Sequence, residues 1–404
     1  MISPRIAAVR PVLLSAPYSD AEDMEVLLHL PSGWRTTGLV EIKLDNGIVG
    51  LGEGYLAVFA PRVFEEIVRL VAPVLIGGDP HDLKELYRQI SVITGYWSLQ
   101  GAAQHVISAV EIALQDCRAQ LLDVPVWQAL GGSPGRRLQL YASGGDAIGP
   151  VAMGRELDRI QHLGIDLVKI RARHQHTDKA RWCQQHAAQC GIRVAIDMTQ
   201  NLVVPSQSIA DIQRFLFEIT DGGRDAPPVF LEEALGPEAI NQYPRLRREV
   251  AAVPMAGGEI VTTAAELCQR IEAGCYDIAQ PDATVIGGIS AVLEVFTTAQ
   301  RCGVEVYVHC WGGPVSMMAN YHAALAGGGT IAEWPIKSYP LRDALVTVPW
   351  QVAGGRLTLP GIPGLGVRLT PEIELMYPFR EDAVYRCLVD PSQVPVTSWP
   401  SPTR

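Results

Sequence analysis

The sequence predicts an α/β fold, a β/α barrel preceded by a smaller α+β unit, and three observations lead to it. From about residue 138 onward, short apolar strands alternate with helical segments. Eight such strands within about 200 residues suit a single β/α barrel. The first 130 residues follow another rhythm, three strands and then three helices. A doubly wound sheet is the alternative, but no glycine-rich phosphate turn follows an early strand.

Length and composition narrow the class of protein. A chain of 404 residues suits one large domain and a smaller one. The formal net charge of −10, without a Lys/Arg cluster, argues against a nucleic-acid partner. No apolar run is long enough for a membrane span. The eight cysteines include no CxxC pair, so we expect free thiols and a cytoplasmic location.

The N-terminal unit is predicted from its alternation and turn residues. Asn46 and Gly47 mark a hairpin, because glycine supplies the positive φ that tight turns need. The polar stretch Pro17–Thr37 is too long for a tight turn, and we expect it to close over a site and bind substrate through His29 and Trp34. The predicted strands are 6–16, 38–44 and 48–54, and the predicted helices are 61–75, 81–93 and 104–121.

The barrel strands are short apolar runs, and several of them end in a charged residue. The tail from residue 341 is expected to fold back on the N-terminal unit, which divides the chain into residues 1–130 (cap), 131–340 (barrel) and 341–404 (completing the cap). The predicted strands are 138–142, 167–170, 194–197, 229–232, 254–257, 278–280, 304–309 and 330–333.

Carboxylates stand at successive strand ends, where barrel enzymes carry their functional groups. Asp197, Glu232 and Glu259 lie about one βα unit apart, so they would converge at the end of the barrel where the strands have their carboxyl ends. This end is called the mouth below. Three such groups cannot all stay ionised in a low-dielectric site without a cation, and an all-oxygen set suits Mg²⁺. Any one of these acids alone could equally be a solvated loop residue. Glu233 alternates to the other face of its strand, and parity does not say which of the two points inward.

Asp282 and His309 form a second candidate group, on the two neighbouring strands that follow. A carboxylate that binds one imidazole nitrogen fixes the tautomer and raises the basicity of the other nitrogen. Such a pair is a general base near neutral pH. A single histidine in an apolar strand is more often a core residue, but the Trp311-Gly312-Gly313 stretch that follows strengthens the functional interpretation.

Together these motifs resemble the enolase superfamily, and within it the mandelate racemase subgroup. The resemblance implies a modified (β/α)₇β TIM barrel with an α+β capping domain. The resemblance implies Mg²⁺ on Asp197, Glu232 and Glu259, with Glu232 preferred to Glu233. It also implies an Asp282–His309 dyad, Glu333 hydrogen-bonded to a substrate carboxylate, and abstraction of the proton α to that carboxylate. The matching stretches are Lys169-Ile170-Arg171, Ile196-Asp197, Leu231-Glu232-Glu233, Gly258-Glu259, Gln280-Pro281-Asp282 with Gly287-Gly288, Val308-His309-Cys310-Trp311 and Pro363-Gly364-Leu365-Gly366.

Two positions depart from the family pattern. Thr199 stands where the family commonly has asparagine, with Asn201 further on. Arg171 replaces the second lysine of the KxK position, and a guanidinium holds its proton too tightly to act as a base. Arg171 could clamp a substrate carboxylate instead. Lys169 would then be an electrostatic partner or a weaker base.

The single competent base favours a lyase, a Mg²⁺-dependent acid-sugar dehydratase in which His309 removes the α-proton and Trp311 contacts substrate. A racemase, epimerase or lactone cycloisomerase acting on a similar acid is the alternative. A non-catalytic barrel protein is a lesser one. The expected partner is a small carboxylate substrate, and we expect a homo-oligomer, between a dimer and an octamer.

Overall fold

The computed structural model describes residues 3–18, 23–98, 100–203, 205–387 and 398–400. Its N-terminal part is a three-stranded antiparallel sheet with helices packed against it. The elements are β1 (Ile6–Pro17), α1 (Met24–His29), β2 (Trp34–Leu44), β3 (Val49–Glu53), α2 (Pro61–Leu75), α3 (Leu83–Thr94) and α4 (Ala102–Leu121). This sheet and its helices are called the cap below.

Two glycines explain how closely α4 packs on the cap sheet. Gly50 and Gly52 lie in β3, where a Cβ atom would come within 2.2 Å of the Ala113 carbonyl oxygen and 1.7 Å of the Ala109 carbonyl oxygen. Only residues without side chains allow the helix backbone so near. The contact buries the apolar face of α4, including Val106, against the sheet.

The second part alternates strands and helices, as predicted. The strands are β4 (Leu138–Ser143), β5 (Leu167–Arg171), β6 (Arg193–Asp197), β7 (Leu231–Glu232), β8 (Met255–Gly257), β9 (Ile278–Ala279), β10 (Glu305–Val306) and β11 (Ile331–Pro335). The helices are α5 (Val126–Ala129), α6 (Pro150–His162), α7 (Thr177–Gln189), α8 (Ile209–Ile219), α9 (Tyr243–Glu249), α10 (Ala264–Glu272), α11 (Ile289–Cys302) and α12 (Pro314–Gly327). Short 3₁₀ turns cover Tyr55–Val58, Gln200–Leu202 and Pro237–Gln242.

Strands β4 to β10 pair in parallel and in chain order, and β11 pairs with the other edge of β4. This is the strand order of the predicted modified barrel. Between β10 and β11 the described residues form only one isolated bridge, from Val308 to Ala332, so continuous strand pairing does not close the ring. Because β4 to β11 run parallel to one another, their carboxyl ends lie at one edge of the sheet, where the functional residues were expected.

The segment after β11 differs in part from the prediction. It contains α13 (Leu341–Ala344), β12 (Gln351–Ala353), β13 (Arg356–Thr358) and α14 (Pro371–Met376). The β12–β13 hairpin pairs with β4 and so extends the barrel sheet, a pairing the sequence interpretation did not anticipate. The later part contacts the cap, where the Ser15 amide donates to the Tyr377 carbonyl, and the division of the chain into domains stays a prediction.

Buried acids of the cap bind backbone amides elsewhere in the chain. Glu53 accepts hydrogen bonds from the amides of Gly313 and Ser316, at the start of α12. Glu111 accepts from the amides of Ile289 and Ser290, at the start of α11. A carboxylate satisfies the free N–H groups and the dipole at a helix N-terminus. These two glutamates therefore join the cap to the two barrel helices.

Asp116 of α4 performs a similar task for the C-terminal segment. It accepts hydrogen bonds from the amides of Leu51 in β3 and Leu365. Burial raises the pKa of Asp116 to about 6. The neighbouring Gly364 has φ of +78°, and a Cβ atom there would lie 2.3 Å from Asp116 Oδ1, so the position needs glycine.

The stretch Pro17–Thr37, expected to be a long polar loop, is mostly regular structure. β1 extends to Pro17, α1 follows, and β2 already begins at Trp34. Asp23 caps α1 by accepting from the amides of Glu25 and Val26. Residues 19–22 of the predicted loop lie outside the described residues. Within the described chain, no helix combines the length and apolarity needed to cross a membrane.

Candidate active site

Strand register brings the predicted metal ligands together. Arg171 pairs with Asp197 across β5 and β6, and Asp197 pairs with Glu232 across β6 and β7. Glu259 follows the end of β8, the next strand of the sheet. Side chains at equal heights on adjacent parallel strands lie close together, so the three carboxylates share one mouth.

Each of these carboxylates has polar partners in the protein. Glu232 accepts from Lys169 Nζ at 2.5 Å and from Gln280 Nε2 at 2.5 Å. Glu259 accepts from Asn201 Nδ2 at 2.8 Å. Asp197 accepts from the Thr199 amide at 2.7 Å, with Thr199 held at a φ of 47°. A positive φ at a β-branched residue marks a constrained backbone beside the site.

The carboxylates of the mouth carry more negative charge than the neighbouring Lys169 and Arg171 balance. Burial, together with Glu259, raises the pKa of Asp197 to about 6, although Lys169 opposes the rise. Burial also raises the pKa of Glu232 well above its usual range, with repulsion from Asp197 and Glu259 adding to it. Water no longer stabilises the ionised forms, and the acids repel one another.

The two adjacent glutamates have separate surroundings. Glu232 is fully buried among the other site carboxylates. Glu233 has a φ of 42°, and its Oε1 accepts from the Gly258 amide at 2.7 Å. Burial raises the pKa of Glu233 to about 8. Glu232 contacts Lys169 and Gln280, and its assignment as the metal ligand in preference to Glu233 stays a prediction.

Asp282 and His309 lie in direct contact. Asp282 Oδ2 is 2.8 Å from His309 Nδ1. The other oxygen of Asp282 accepts from the Thr284 amide, the Thr284 hydroxyl and Asn320 Nδ2, at 2.7 to 2.9 Å. These donors fix the carboxylate, and the carboxylate fixes the imidazole. The free nitrogen, Nε2, faces Glu259 at 3.3 Å.

The proton on His309 responds to the surrounding acids. Burial alone would lower the pKa of His309, but Glu259, Glu333 and Asp282 together raise it to about 10. The imidazole thus compensates part of the negative charge of the mouth. The same excess of charge that raises the pKa of Asp197 also holds the proton on His309.

Lys169 and Glu333 occupy the centre of the mouth. Lys169 Nζ lies 2.5 Å from Glu232 and 2.7 Å from Glu333, and its side chain is almost fully buried. Burial disfavours the charged amine, but the two glutamates raise the pKa of Lys169 well above its usual value. Although burial opposes it, Lys169 lowers the pKa of Glu333 to about 2. Lys169 therefore carries a positive charge and is not a base in this arrangement.

Arg171 belongs to an ion-pair cluster that also contains the only group of three acids, among the described residues, with ligand atoms within 4.8 Å of one another. Its Nη1 lies 2.5 Å from Asp146 and 3.2 Å from Glu25, and its Nε is 3.5 Å from Asp197. Lys337 lies between Asp23, Glu25 and Asp146. The acids could hold a metal by geometry, but two side-chain cations already pair with them.

The residues at the mouth fit a divalent cation better than this second cluster does. Asp197, Glu232 and Glu259 are all-oxygen donors, which suits Mg²⁺. The side-chain oxygens Gln280 Oε1 and Asn201 Oδ1 are buried and have no hydrogen-bond partner among the described residues, although the nitrogens of both amides bind these carboxylates. Unpaired oxygen acceptors and uncompensated carboxylates are the features that a bound cation and its water would satisfy.

The three predicted substrate-binding residues are found at different distances from this mouth. Trp311 packs 5.5 Å from Tyr55, whose ring is 6.3 Å from that of His309. His29 stacks on Tyr385 at 4.4 Å, and Tyr385 packs on Trp311. His29 thus reaches the site only through Tyr385.

Trp34 pairs with Pro17 in the cap sheet and lies under Arg380, whose guanidinium is 4.4 Å from its ring. None of its described contacts is with a residue of the mouth. Its place in a strand, and not in a loop, explains this position.

Sequence reasoning missed several residues of the mouth. Tyr55 and His105 come from the cap, and Lys337, in the second acidic cluster, comes from the loop after β11; no strand-end pattern singles them out. Asn201 was noted only as standing beyond Thr199; it binds Glu259. Its distance in sequence from Asp197 is bridged by the 3₁₀ turn Gln200–Leu202. A pattern search at a fixed spacing would not find it.

The fold and the mouth together define an enzyme of the enolase superfamily. Residues 152–373 match the family described as enolase C-terminal domain-like. Residues 33–131 match the N-terminal domain of mandelate racemase and muconate lactonizing enzyme. The chain belongs to the mandelate racemase/muconate lactonizing enzyme family.

Curated relatives in this family are lyases and isomerases. The chain is 29% identical over 300 residues to a D-galactonate dehydratase of Klebsiella pneumoniae, covering 73% of this chain and 76% of that protein. It is 25% identical over 356 residues to a D-galactarolactone cycloisomerase of Agrobacterium fabrum, covering 82% and 88%.

One similar structure is that of L-talarate/galactarate dehydratase from Salmonella typhimurium, liganded with Mg and L-lyxarohydroxamate. The TM-score is 0.79 at 21% identity, with 94% of each chain covered. At this level of identity the likeness shows the shared fold.

Proposed function

We propose that the protein is a Mg²⁺-dependent dehydratase of an acid sugar. The observation that carries the proposal is the asymmetry of the mouth. His309, fixed by Asp282, would act as the general base once a bound cation balances the acids that otherwise hold its proton. Lys169 and Arg171, across the sheet from it, are both engaged in ion pairs with carboxylates. A single base on one face of the substrate α-carbon suits elimination, whereas racemisation needs a base on each face.

The reaction would begin with removal of the α-proton by His309 Nε2. The electrons of the C–H bond form an enediolate on the substrate carboxylate. The bond from the β-carbon to its hydroxyl then breaks, and the imidazolium returns its proton to the departing oxygen, which leaves as water. The resulting enol tautomerises to a 2-keto-3-deoxy acid. The overall change is loss of one water, without oxidation or reduction.

The surrounding residues would lower the energy of the negative charge that develops. Lys169 contributes a fixed positive charge beside Glu232 and Glu333, in a site from which water is largely excluded. Mg²⁺, held by Asp197, Glu232 and Glu259, would supply the charge that stabilises the enediolate. Thr284 and Asn320 hold Asp282, which keeps His309 in one orientation.

A cycloisomerase is the second candidate, favoured by the similarity to the Agrobacterium fabrum protein over most of both chains. The first step would be unchanged, since proton transfer at the α-carbon is common to both reactions. The two outcomes differ in whether water is lost.

Two measurements test the proposal. The protein with Mg²⁺ should convert at least one member of a panel of acid sugars to a 2-keto acid, and it should exchange the α-proton in D₂O. His309→Asn should abolish both, whereas His186→Asn, on α7, should abolish neither. Full activity of His309→Asn would overturn the assignment of the base. Exchange without loss of water would favour the isomerase.

A separate measurement tests the metal. Calorimetric titration with Mg²⁺ should give one site in the wild type and a much weaker one in Glu232→Gln. Asp23→Asn, in the second acidic cluster, is the matched control and should bind as the wild type does. If Asp23→Asn loses the metal and Glu232→Gln keeps it, the ligands have been assigned to the wrong cluster.

A further inference from the structure

Arg171, which stands where the family pattern has a lysine, contacts acids from three separate parts of the chain. Its Nη1 donates to Asp146, in the segment after β4, at 2.5 Å and to Glu25, in α1 of the cap, at 3.2 Å. Its Nε lies 3.5 Å from Asp197, the last residue of β6 and a proposed metal ligand. A guanidinium reaches several acids because its donors form a planar fork, whereas a lysine ammonium is a point charge. Arg171 therefore joins the cap to a metal ligand.

Helix α1 depends on contacts of this kind for its position. It has only six residues, and isolated helices shorter than about 12 residues are marginal in water. The Met24 amide donates to the Asp146 carbonyl at 2.7 Å, which docks the helix on the segment after β4. Lys337 contacts Glu25 and Asp146. It also contacts Asp23, the N-cap of α1. The docking of α1 thus rests on a group of charges, and Arg171 is one of them.

The acids around Arg171 compete for its charge. The contact with Asp197 is the longest of the three, and an N–H···O contact of more than about 3.2 Å is weak. A guanidinium that moved towards Asp197 would move away from Glu25, and one that moved towards Glu25 would leave Asp197 less compensated. The position of Arg171 therefore determines how much negative charge Asp197 offers to another cation.

A divalent cation at Asp197 would repel the guanidinium, because charges of one sign repel strongly at short range in a site with little water. Arg171 already has Asp146 and Glu25 as partners, so this repulsion would strengthen its contact with α1 and would not leave it unpaired. If α1 moved away, Glu25 would be withdrawn from the guanidinium. Arg171 would then pair more closely with Asp197 and compete with the cation.

We propose that Arg171 couples the metal site to the cap, so that Mg²⁺ at Asp197 stabilises the docking of α1 and docked α1 strengthens the binding of Mg²⁺. The two effects are equal in free energy, because coupling between two equilibria is reciprocal. The inference rests on the proposed metal site and goes beyond it. It assigns Arg171 neither proton transfer nor contact with substrate; Arg171 is a positioning residue that acts through Asp197 and Glu25.

Hydrogen exchange of the wild type tests the coupling without any substitution. With Mg²⁺ at a concentration that saturates the calorimetric titration, the amides of α1 should exchange about five- to tenfold more slowly than without it. Helix α3 is the internal control, since it belongs to the cap but carries none of the charges of this cluster, and its exchange should change much less. Exchange in α1 that does not respond to Mg²⁺ would overturn the inference.

Two variants of equal charge locate the effect. Glu25→Gln removes the acid of α1 that Arg171 contacts, and Asp23→Asn removes an acid that makes no ion pair with Arg171 among the described residues. By calorimetry, Glu25→Gln should weaken Mg²⁺ binding by about five- to tenfold, and it should abolish the response of α1 to Mg²⁺. Asp23→Asn keeps a side-chain oxygen for the helix cap, and both measurements should stay near the wild type. Equal loss of affinity in the two variants would mean that only the total charge matters, against the inference.

A double variant tests the role of the guanidinium itself. Arg171→Lys keeps the positive charge but not the fork that reaches two acids. In this background Glu25→Gln should change the affinity for Mg²⁺ by less than about twofold, because a double-mutant cycle isolates the contact between the two residues. If Glu25→Gln weakens Mg²⁺ binding as much as it does with Arg171 present, Glu25 acts by another route and the inference is wrong.

These results separate the coupling from the proposed function. If Mg²⁺ binds to the wild type and Glu232→Gln weakens that binding, but Glu25→Gln behaves like Asp23→Asn, the coupling fails and the proposed metal site stands. If the wild type does not bind Mg²⁺, both fail.

Discussion

Replacing Asp282 by asparagine should stop proton abstraction through the tautomer of His309, without disturbing the fold. Oδ1 of Asp282 accepts three hydrogen bonds, from the Thr284 amide, the Thr284 hydroxyl and Asn320 Nδ2. In the variant the amide oxygen must take this place, because the amide NH₂ cannot accept. The NH₂ group then faces His309 Nδ1, at the position where Oδ2 lies 2.8 Å away now.

An NH₂ donor at that position requires Nδ1 to accept, so the imidazole proton moves to Nε2. A nitrogen that already carries a proton cannot remove one from the substrate. A wrong-tautomer dyad of this kind costs about 10³- to 10⁴-fold in kcat, which is about 4 to 5.5 kcal/mol in activation free energy. Three of the four hydrogen bonds survive, so the melting temperature should change by only a few degrees.

The assay is kcat for 2-keto acid formation or α-proton exchange, together with ¹⁵N NMR of the His309 ring to identify the protonated nitrogen. The Asp282→Asn/His309→Asn double variant should be no slower than His309→Asn alone, because residues that act as one unit are not additive. If Asp282→Asn keeps more than a tenth of wild-type kcat, or the ring stays protonated at Nδ1, the reasoning is wrong.

Two further predictions concern stability. Burial raises the pKa of Asp116 to about 6, from about 3.9 in an unfolded chain. Its contribution to the free energy of unfolding is therefore fully present below about pH 4 and is lost, by roughly 3 kcal/mol, as the pH rises through 6. In urea titrations, Asp116→Asn should lack this decline; parallel pH profiles would contradict it. Lys337→Met should leave Asp23, Glu25 and Asp146 with Arg171 alone, and breaking such a buried group costs about 3 to 5 kcal/mol. Hydrogen exchange should accelerate in α1, and unchanged protection there would refute the predicted loosening.

Local patterns predicted most of the fold. The helix over 61–75 was predicted with the bounds that α2 has, because its apolar residues recur at helical spacing and Pro61 can occupy its first turn. The strand-then-acid endings located Asp197 and Glu232 correctly at the carboxyl ends of β6 and β7. Such features depend on a few neighbouring residues, and so the sequence displays them.

Contacts between distant segments could not be predicted in this way. The β12–β13 hairpin is three residues a strand, and nothing within it indicates that it pairs with β4. Two partners of Arg171, Glu25 and Asp146, come from α1 of the cap and from the segment after β4, and neither stretch has a distinctive pattern. The homo-oligomer and the cytoplasmic location stay predictions.

The position of Trp34 illustrates the same limit. A polar stretch of this length suggested a loop, yet the backbone from Trp34 pairs with β1 as a strand. The hydrogen bonds that decide this belong to the partner strand, and the stretch itself does not display them. The described contacts of Trp34 are with Pro17, Ser32 and Arg380, and its binding of substrate stays a prediction.

The two buried glutamates of the cap have a consequence for engineering. Glu53 and Glu111 supply, from outside, the acceptors that the first turns of α12 and α11 need. A chimera that grafts the cap of a relative onto this barrel would change substrate contacts, but it would also remove these acceptors unless the donor carries acids at matching places. The unit to exchange is therefore the cap together with the loops Gly287–Ser290 and Gly313–Ser316. A junction placed between the cap and these loops would separate each glutamate from the amides that it binds.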